Sequence, residues 1–154
     1  MSSDNVQLTK RWFNEVWNKG DLDVIDELFA QDGIAYGLGE HGRDVRGPEG
    51  FKPFVQRLRA AFPDLQITVD DAIEQDNRVA ARFSAVMTHT GDALGFPATG
   101  REVRVQGISF SHFHNGQLVE AWNNWDIYGM MQQLQVPVAP VSTTLLEESD
   151  TRSC

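Results

Sequence analysis

The chain carries a single cysteine, Cys154, at its last position, so no disulfide can close within it and no cysteine-based metal spacing exists. Cations are also scarce: 13 Lys plus Arg stand against 22 Asp plus Glu, a formal net charge of -9. That balance repels a phosphate backbone unless the cations cluster, and they do not, so nucleic acid is not an expected partner. Long apolar runs are missing as well. No segment approaches the ~20 uncharged apolar residues of a membrane span, and Met1-Ser2-Ser3-Asp4-Asn5 lacks the basic-then-apolar order of an export signal. The expectation is a cytoplasmic protein with no membrane partner. Glycine-rich phosphate loops are absent too, because Gly91 to Gly100 has neither the Gly-x-Gly-x-x-Gly nor the Walker spacing.

What the chain does have is 154 residues, 41% of them apolar, with nine Phe, four Trp and two Tyr, enough for one domain with a real core. Val6, Leu8, Trp12, Phe13, Val16 and Trp17 recur at three-to-four-residue spacing behind a cap at Asp4 or Asn5, which predicts an amphipathic helix. Asn18-Lys19-Gly20-Asp21 stops it, and Asp21 can cap a second short helix through Val24, Ile25, Leu28 and Phe29. The stretch from Gly33 to Gly50 reads as a glycine-rich connection. Pro48-Glu49 then opens a third helix presenting Phe51, Phe54, Val55, Leu58 and Phe62. From Leu65 the pattern becomes short β-branched runs: Leu65 to Val69, Val79 to His89, Val103 to Phe113 and Leu118 to Trp125. Asp76-Asn77 and Asn115-Gly116 are turn dipeptides between them. Residues 126 to 134 read as a last short helix, and residues 137–154 as a disordered tail with too little apolar surface to fold alone. Helices first and strands after predict α+β: one domain over residues 1–136, with a strongly curved, mixed but mainly antiparallel sheet wrapped as a cone-shaped barrel around the N-terminal helices.

Several residues stand out chemically. Asp126 follows Trp122-Asn123-Asn124-Trp125, an aromatic run that would place its carboxylate at the rim or floor of an apolar cavity. A carboxylate lifted by burial toward working pH is a better base for a proton α to a carbonyl; equally, Asp126 can be the N-cap of the last helix. On the run Val103 to Phe113, alternation groups Arg104, Gln106, Ile108, Phe110 and His112 on one face and Val105, Gly107, Ser109, Ser111 and Phe113 on the other, without choosing which faces inward. If His112 points inward, its imidazole can donate to a carbonyl becoming an enolate; if outward, it is a surface residue beside a turn. Arg82 lies among apolar residues and needs either an acceptor or solvent, so it reads as a salt-bridge residue or as an anchor for a phenolate or ester. Aromatic residues including Trp17, Phe51, Phe54, Phe110 and Trp122 exceed what a minimal core requires and would suit a flat apolar ligand. His112 and His114, at i and i+2, are the one histidine pair with a ligand spacing, and no metal site is expected.

Thr88-His89-Thr90-Gly91, Gly95-Phe96-Pro97-Ala98-Thr99-Gly100-Arg101 and Glu120-Ala121-Trp122 with Asp126 and Gln133-Leu134 occur in an order that resembles the SnoaL-like polyketide cyclases. Trp17-Asn18 with Gly20-Asp21 and Phe62-Pro63-Asp64-Leu65 belong to the same pattern, so the resemblance spans roughly residues 6 to 137. It implies the α+β cone of the nuclear-transport-factor-2-like superfamily around an apolar pocket. It also implies ring closure of a small aromatic polyketide methyl ester by intramolecular aldol condensation, with neither metal nor organic cofactor, in a homodimer joined through the outer sheet face. The family's acid/base aspartate matches Asp126, and a pocket histidine matches His112. His89 falls at a family position near a strand end, as a substrate-pocket residue or a local hydrogen-bonding one; Asn124 is a candidate substrate contact, and Asn123 or Asn124 would support Asp126 in an alternative epoxide-opening or isomerising reaction. The chain departs from the pattern at Ala121, where many relatives carry histidine, and at Gln135, where glycine is usual. The same superfamily holds epoxide hydrolases, isomerases, hydroxylase-like proteins and noncatalytic ligand-binding or dimerisation modules, which stand as alternative functions.

Overall fold

The computed structural model describes residues 4–38 and 43–136. The tail expected at 137–154, and His41, lie outside the described residues. Helix α1 (Asp4–Arg11) runs directly into a π-helical segment, Trp12–Asn18, followed by α2 (Leu22–Leu28), β1 (Phe29–Tyr36), β2 (Val45–Arg46), α3 (Gly47–Ala61), β3 (Gln66–Gln75), β4 (Arg78–Thr88), β5 (Glu102–His114), β6 (Gln117–Trp125) and α4 (Ile127–Leu134). No helix among the described residues is long and apolar enough to cross a membrane.

The six strands form one sheet in the order β2-β1-β6-β5-β4-β3. It is mixed: β1 runs parallel to β6, and the other neighbours are antiparallel. The linear order leaves β2 and β3 as edges, so the curved sheet stays open rather than closing into a barrel. Asp76 and Asn77 turn the β3–β4 hairpin, and Asn115 and Gly116 the β5–β6 hairpin, all four at positive φ, as the primed two-residue turns require.

Strands β1 and β2 occupy the stretch expected to continue a helix and then loop. The sequence Phe29-Ala30-Gln31-Asp32-Gly33 has little β propensity, and it is the parallel register with β6, from Phe29 opposite Leu118 to Tyr36 opposite Trp122, that makes it a strand. The N-terminal helix also differs from expectation, because its second half widens to π geometry. Four residues of that segment, Trp12, Phe13, Val16 and Trp17, are buried against the sheet and α3. Packing of large rings overrides the α repeat there.

Alternation on β5 is resolved by burial. Val103, Val105, Gly107, Ser109, Ser111 and Phe113 face the core, and the Arg104, Gln106, Ile108, Phe110, His112 set faces outward. Gly107 makes room for the Phe83 ring of β4, since a Cβ there would sit 2.5 Å from it. Among the described residues, helices cover only the inner face of the sheet.

Candidate active site

The rings of Trp17 are the hub of the interior. Trp17 lies 5.5 Å from Trp125, 5.8 Å from Phe54 and 5.9 Å from Phe51, ring centre to ring centre. Four polar contacts hold the backbone beneath it. Asn18 donates its Nδ2 to the Ile67 carbonyl at 2.9 Å and accepts from the Ile67 amide at 2.7 Å, and Arg59 donates to the carbonyls of Trp17 and Asn18 at 2.9 and 2.6 Å. The unpaired carbonyls that end the π segment are thereby satisfied by a side chain from α3.

Two cavities meet at this tryptophan. The larger, about 160 Å³, is lined by Trp17, Leu38, Phe54, Phe62, Met87, Leu94, Trp125, Ile127 and Met130 among others. Ile127, the exposed first residue of α4, brings its lining to the protein surface. The smaller, about 10 Å³, has Trp12, Phe13, Trp17, Leu38 and Phe51 on one side and Ala35, Ser109, Ser111, Ala121 and Asn123 on the sheet side. Cross-strand pairing explains its existence: Ala35–Ala121–Ser111 and Asn123–Ser109–Ala81 are two inward rows of small residues, leaving a gap that the helix rings do not fill. Trp17 and Leu38 border both cavities.

Of the residues singled out from the sequence, Trp17 and Phe54 stand in the wall of the larger cavity and Phe51 in that of the smaller. His112, Phe110, Trp122, Asn124 and Arg82 are placed elsewhere, on the outer face of the sheet. His112 falls in the outward set of β5, opposite Arg78 on β4 and Glu120 on β6, so the inward orientation needed for carbonyl donation is not the one adopted. Phe110 pairs with Trp122 across β5 and β6, the rings 6.0 Å apart, and Asn124 pairs outward with Ile108. Arg82 bridges to Asp70 at 3.8 Å on the solvent side, the acceptor its position demanded. On the same face Tyr36 stacks on Trp122 at 5.2 Å, and partial burial together with the Glu120 carboxylate pushes its phenol above the usual range.

Asp126 stands at the junction of the two faces. Its flanking residues Trp125 and Ile127 line the larger cavity, while its carboxylate is exposed and accepts from the Gly129 amide at 2.9 Å as the N-cap of α4. Of the two placements expected, rim or floor of an apolar cavity, the floor is not the one adopted, and the carboxylate is not buried. The fit at this cap is tight, because a Cβ on Gly129 would sit 2.2 Å from the Asp126 carboxylate.

His89 is fully buried but lines neither interior cavity. The Thr99 amide donates to its Nδ1 at 3.1 Å, so the proton resides on Nε2, and the ring lies between Phe62 and Phe96 at 5.4 and 5.2 Å. Its backbone pairs with Gly100 and Arg101, closing the 90–100 loop upon itself. Among the described residues, three buried side-chain polar atoms lack a hydrogen-bond partner: Trp17 Nε1, Ser109 Oγ and His89 Nε2. No group of three or more metal-ligating side chains occurs among them.

Ser109, Ser111 and Leu38 are site residues that the sequence pattern did not single out, whereas Asn123 was named there and does line the smaller cavity. The Gly107-x-Ser109-x-Ser111 alternation, small and polar on a strand between two apolar neighbours, was the available signal.

Residues 7–134 match the model of the SnoaL-like polyketide cyclases. Two aklanonic acid methyl ester cyclases are each 28% identical over 136 residues: DauD of Streptomyces sp. strain C5, covering 88% of this chain and 84% of DauD, and DnrD of Streptomyces peucetius, covering 88% and 93%. Among solved structures, wild-type IdmH from Streptomyces antibioticus is 32% identical, covers 87% of this chain and all of its own, and superposes with a TM-score of 0.73. TsrD from Streptomyces laurentii, at 25% identity, covers 89% and 99% with a TM-score of 0.76. An open curved sheet enclosing a ring-lined interior and a family match across most of the chain agree, and the chain belongs to the SnoaL-like polyketide cyclase family.

Proposed function

We propose that this protein closes a ring in a small, apolar, aromatic polyketide-like substrate by intramolecular aldol chemistry, using acid/base groups of its own chain. The observation that carries the reading is the aromatic cavity beside Trp17, its lining reaching the surface at the start of α4, in a chain whose relatives DauD and DnrD are aklanonic acid methyl ester cyclases. A cavity of about 160 Å³ is close to the ~150 Å³ that holds one benzene ring in an engineered core, so it seats one ring of a larger substrate while the remainder extends outward past Ile127.

Asp126 is the acid/base residue in this reading. Its position between two cavity-lining residues supports the role. The carboxylate takes a proton from the carbon α to a carbonyl, the enolate carbon bonds to a second carbonyl carbon of the same molecule, and the alkoxide so formed takes the proton back from the carboxylic acid. Nothing is oxidised or reduced. To act, Asp126 exchanges its hydrogen bond from Gly129 for contact with substrate beside Ile127.

The partner in this reading is a second copy of the chain. Tyr36, Trp122, Phe110, Ala80 and Ile73 are aligned by register into one apolar row across five strands of the outer face, with Ile73 70%, Phe110 43% and Trp122 41% exposed. Glu120, His112 and Arg78 flank the row on one side, and Asn124, Ile108 and Arg82 on the other. An apolar centre with a charged rim is the composition of a protein interface. The cytoplasm is the compartment this reading favours, since the single thiol forms no internal disulfide.

The test is turnover by wild type and Asp126→Asn on anthraquinone-type methyl esters, epoxides and Δ5-ketosteroids, read by chiral chromatography. Ring closure of the methyl ester, falling about a hundredfold in the variant, is the expected result for loss of general acid/base help. Turnover of another class alone, or turnover indifferent to the substitution, overturns the reading.

A further inference from the structure

The small chamber behind Trp17 contains an unusual combination. It is walled mainly by rings and small apolar side chains, yet two of its polar groups, Trp17 Nε1 and Ser109 Oγ, are buried without any hydrogen-bond partner among the described residues. Both residues are only 2% exposed. Leaving a buried donor unmade costs folding free energy, and native proteins do so where a ligand or an ordered water completes the bond.

The two residues come from unrelated elements, the π segment and the inward face of β5, and line one chamber only through the tertiary fold. Neither can relax easily. Trp17 is held by four neighbouring rings and by the Arg59 bond to its carbonyl, and Ser109 lies mid-strand with partners on both sides, Ala81 on β4 and Asn123 on β6. Asn123, the other nearby amide, already donates to the Tyr36 carbonyl at 3.2 Å. The chamber has room for about one water-sized group and shares two wall residues, Trp17 and Leu38, with the larger cavity.

We infer that Ser109 and Trp17 form an oxygen-binding subsite: a carbonyl or phenol oxygen of the bound ligand enters the small chamber and accepts from the Trp17 indole N–H and the Ser109 hydroxyl, while its ring lies in the larger cavity. This rests on the ring-closure reading for the identity of the ligand and deepens it. Two donors converging on one oxygen fix which edge of a flat substrate points inward, and an apolar ring alone would leave that orientation open. If the oxygen belongs to the enolising carbonyl, the same donors stabilise the charge that develops on it.

Two probes with one carbon skeleton isolate the oxygen: 1-tetralone, with a ketone, and tetralin, without one. Their dissociation constants are measured by calorimetry for wild type, Ser109→Ala and Trp17→Phe, and the preference for ketone over hydrocarbon is compared, which cancels the difference in hydrophobicity. The preference is expected to fall about fivefold to tenfold in each variant, the effect of one hydrogen-bond donor, with tetralin affinity held in Ser109→Ala. A second variant, Ser109→Thr, keeps the hydroxyl and is expected to retain the ketone preference. An unchanged preference in both donor deletions, or failure of wild type to bind either probe, overturns the inference. Methyl-ester turnover by the same proteins separates the two readings: turnover with no ketone preference sinks the subsite alone, and a donor-dependent preference without turnover on any substrate sinks the cyclase reading alone.

Discussion

Asn18 pairs with Ile67 as if it were a short strand, its side-chain amide donating to the Ile67 carbonyl at 2.9 Å and accepting from the Ile67 amide at 2.7 Å. The bond pair joins the end of the π segment to β3, immediately beside the tryptophan about which both interior cavities are built. Replacing Asn18 with Leu leaves one backbone donor and one acceptor of β3 unpaired in a partly buried setting. The expected loss is about 2 to 3 kcal/mol of stability, read from urea unfolding, with Trp17 fluorescence altered in the folded state. An unchanged midpoint would mean that water replaces the side chain at no cost.

Asp126 has two separable roles, and two substitutions divide them. Asn retains a side-chain oxygen for the Gly129 amide, so Asp126→Asn is expected to keep the melting temperature within a degree or two while losing turnover. Asp126→Ala removes the cap as well and is expected to lose about 1 kcal/mol. Thermal unfolding of the two proteins side by side checks this, and equal destabilisation by both would show that the charge, rather than the cap bond, is what α4 requires.

Phe110 lies at the centre of the outer apolar row, between Ala80 and Trp122. A carboxylate there would be buried against rings in a dimer but solvated in a monomer. Sedimentation is expected to give twice the chain mass for wild type and the chain mass for Phe110→Asp, with the two circular dichroism spectra superimposing. Monomeric wild type would remove the interface.

Asp64 ties the start of β3 to the end of β4, accepting from the Thr88 hydroxyl and the Thr88 amide, both at 2.7 Å. The hydroxyl bond first, and the amide bond with it, hold the carboxyl below its usual range, against an opposing burial effect. Because the folded-state carboxyl titrates below its unfolded counterpart, its stabilisation is complete above the unfolded value of about 4 and is lost as pH falls through the folded one. Unfolding midpoints between pH 7 and pH 3 should therefore drop more steeply for wild type than for Asp64→Asn. Parallel curves would show that the bonds carry no net charge preference.

Gly91 allows the 90–100 loop to cross the end of α3. A Cβ at that position would lie 2.0 Å from the Ala60 carbonyl oxygen, a backbone atom that cannot swing aside. Gly91→Ala is expected to destabilise the fold by about 3 kcal/mol or more through the forced backbone shift, measured against Gly95→Ala in the same loop. Gly95 has open space around its Cβ position but a φ of +91°, so the milder cost expected there reflects conformation alone.

The amino-acid sequence by itself determined the element order wherever periodicity was long: the amphipathic first helix, α3 from its proline, and the four strands after Leu65 with their two turn dipeptides. Local propensity and capping suffice for such segments, and Asp21 and Asp126 cap their helices through the interaction their residue type supplies. The ordered motifs from Trp17-Asn18 to Gln133-Leu134 likewise carried the family. The tertiary structure alone decided the rest. Strands β1 and β2 exist because β6 offers a parallel edge, and the π geometry of residues 12–18 follows from ring packing rather than sequence period. Alternation on β5 divided Ser109 from His112 correctly but could not orient either set, since period two is symmetric under exchange of faces. Only the helices covering one side of the sheet break that symmetry, turning Ser109 toward Trp17 and sending His112, Phe110 and Trp122 to the outer face.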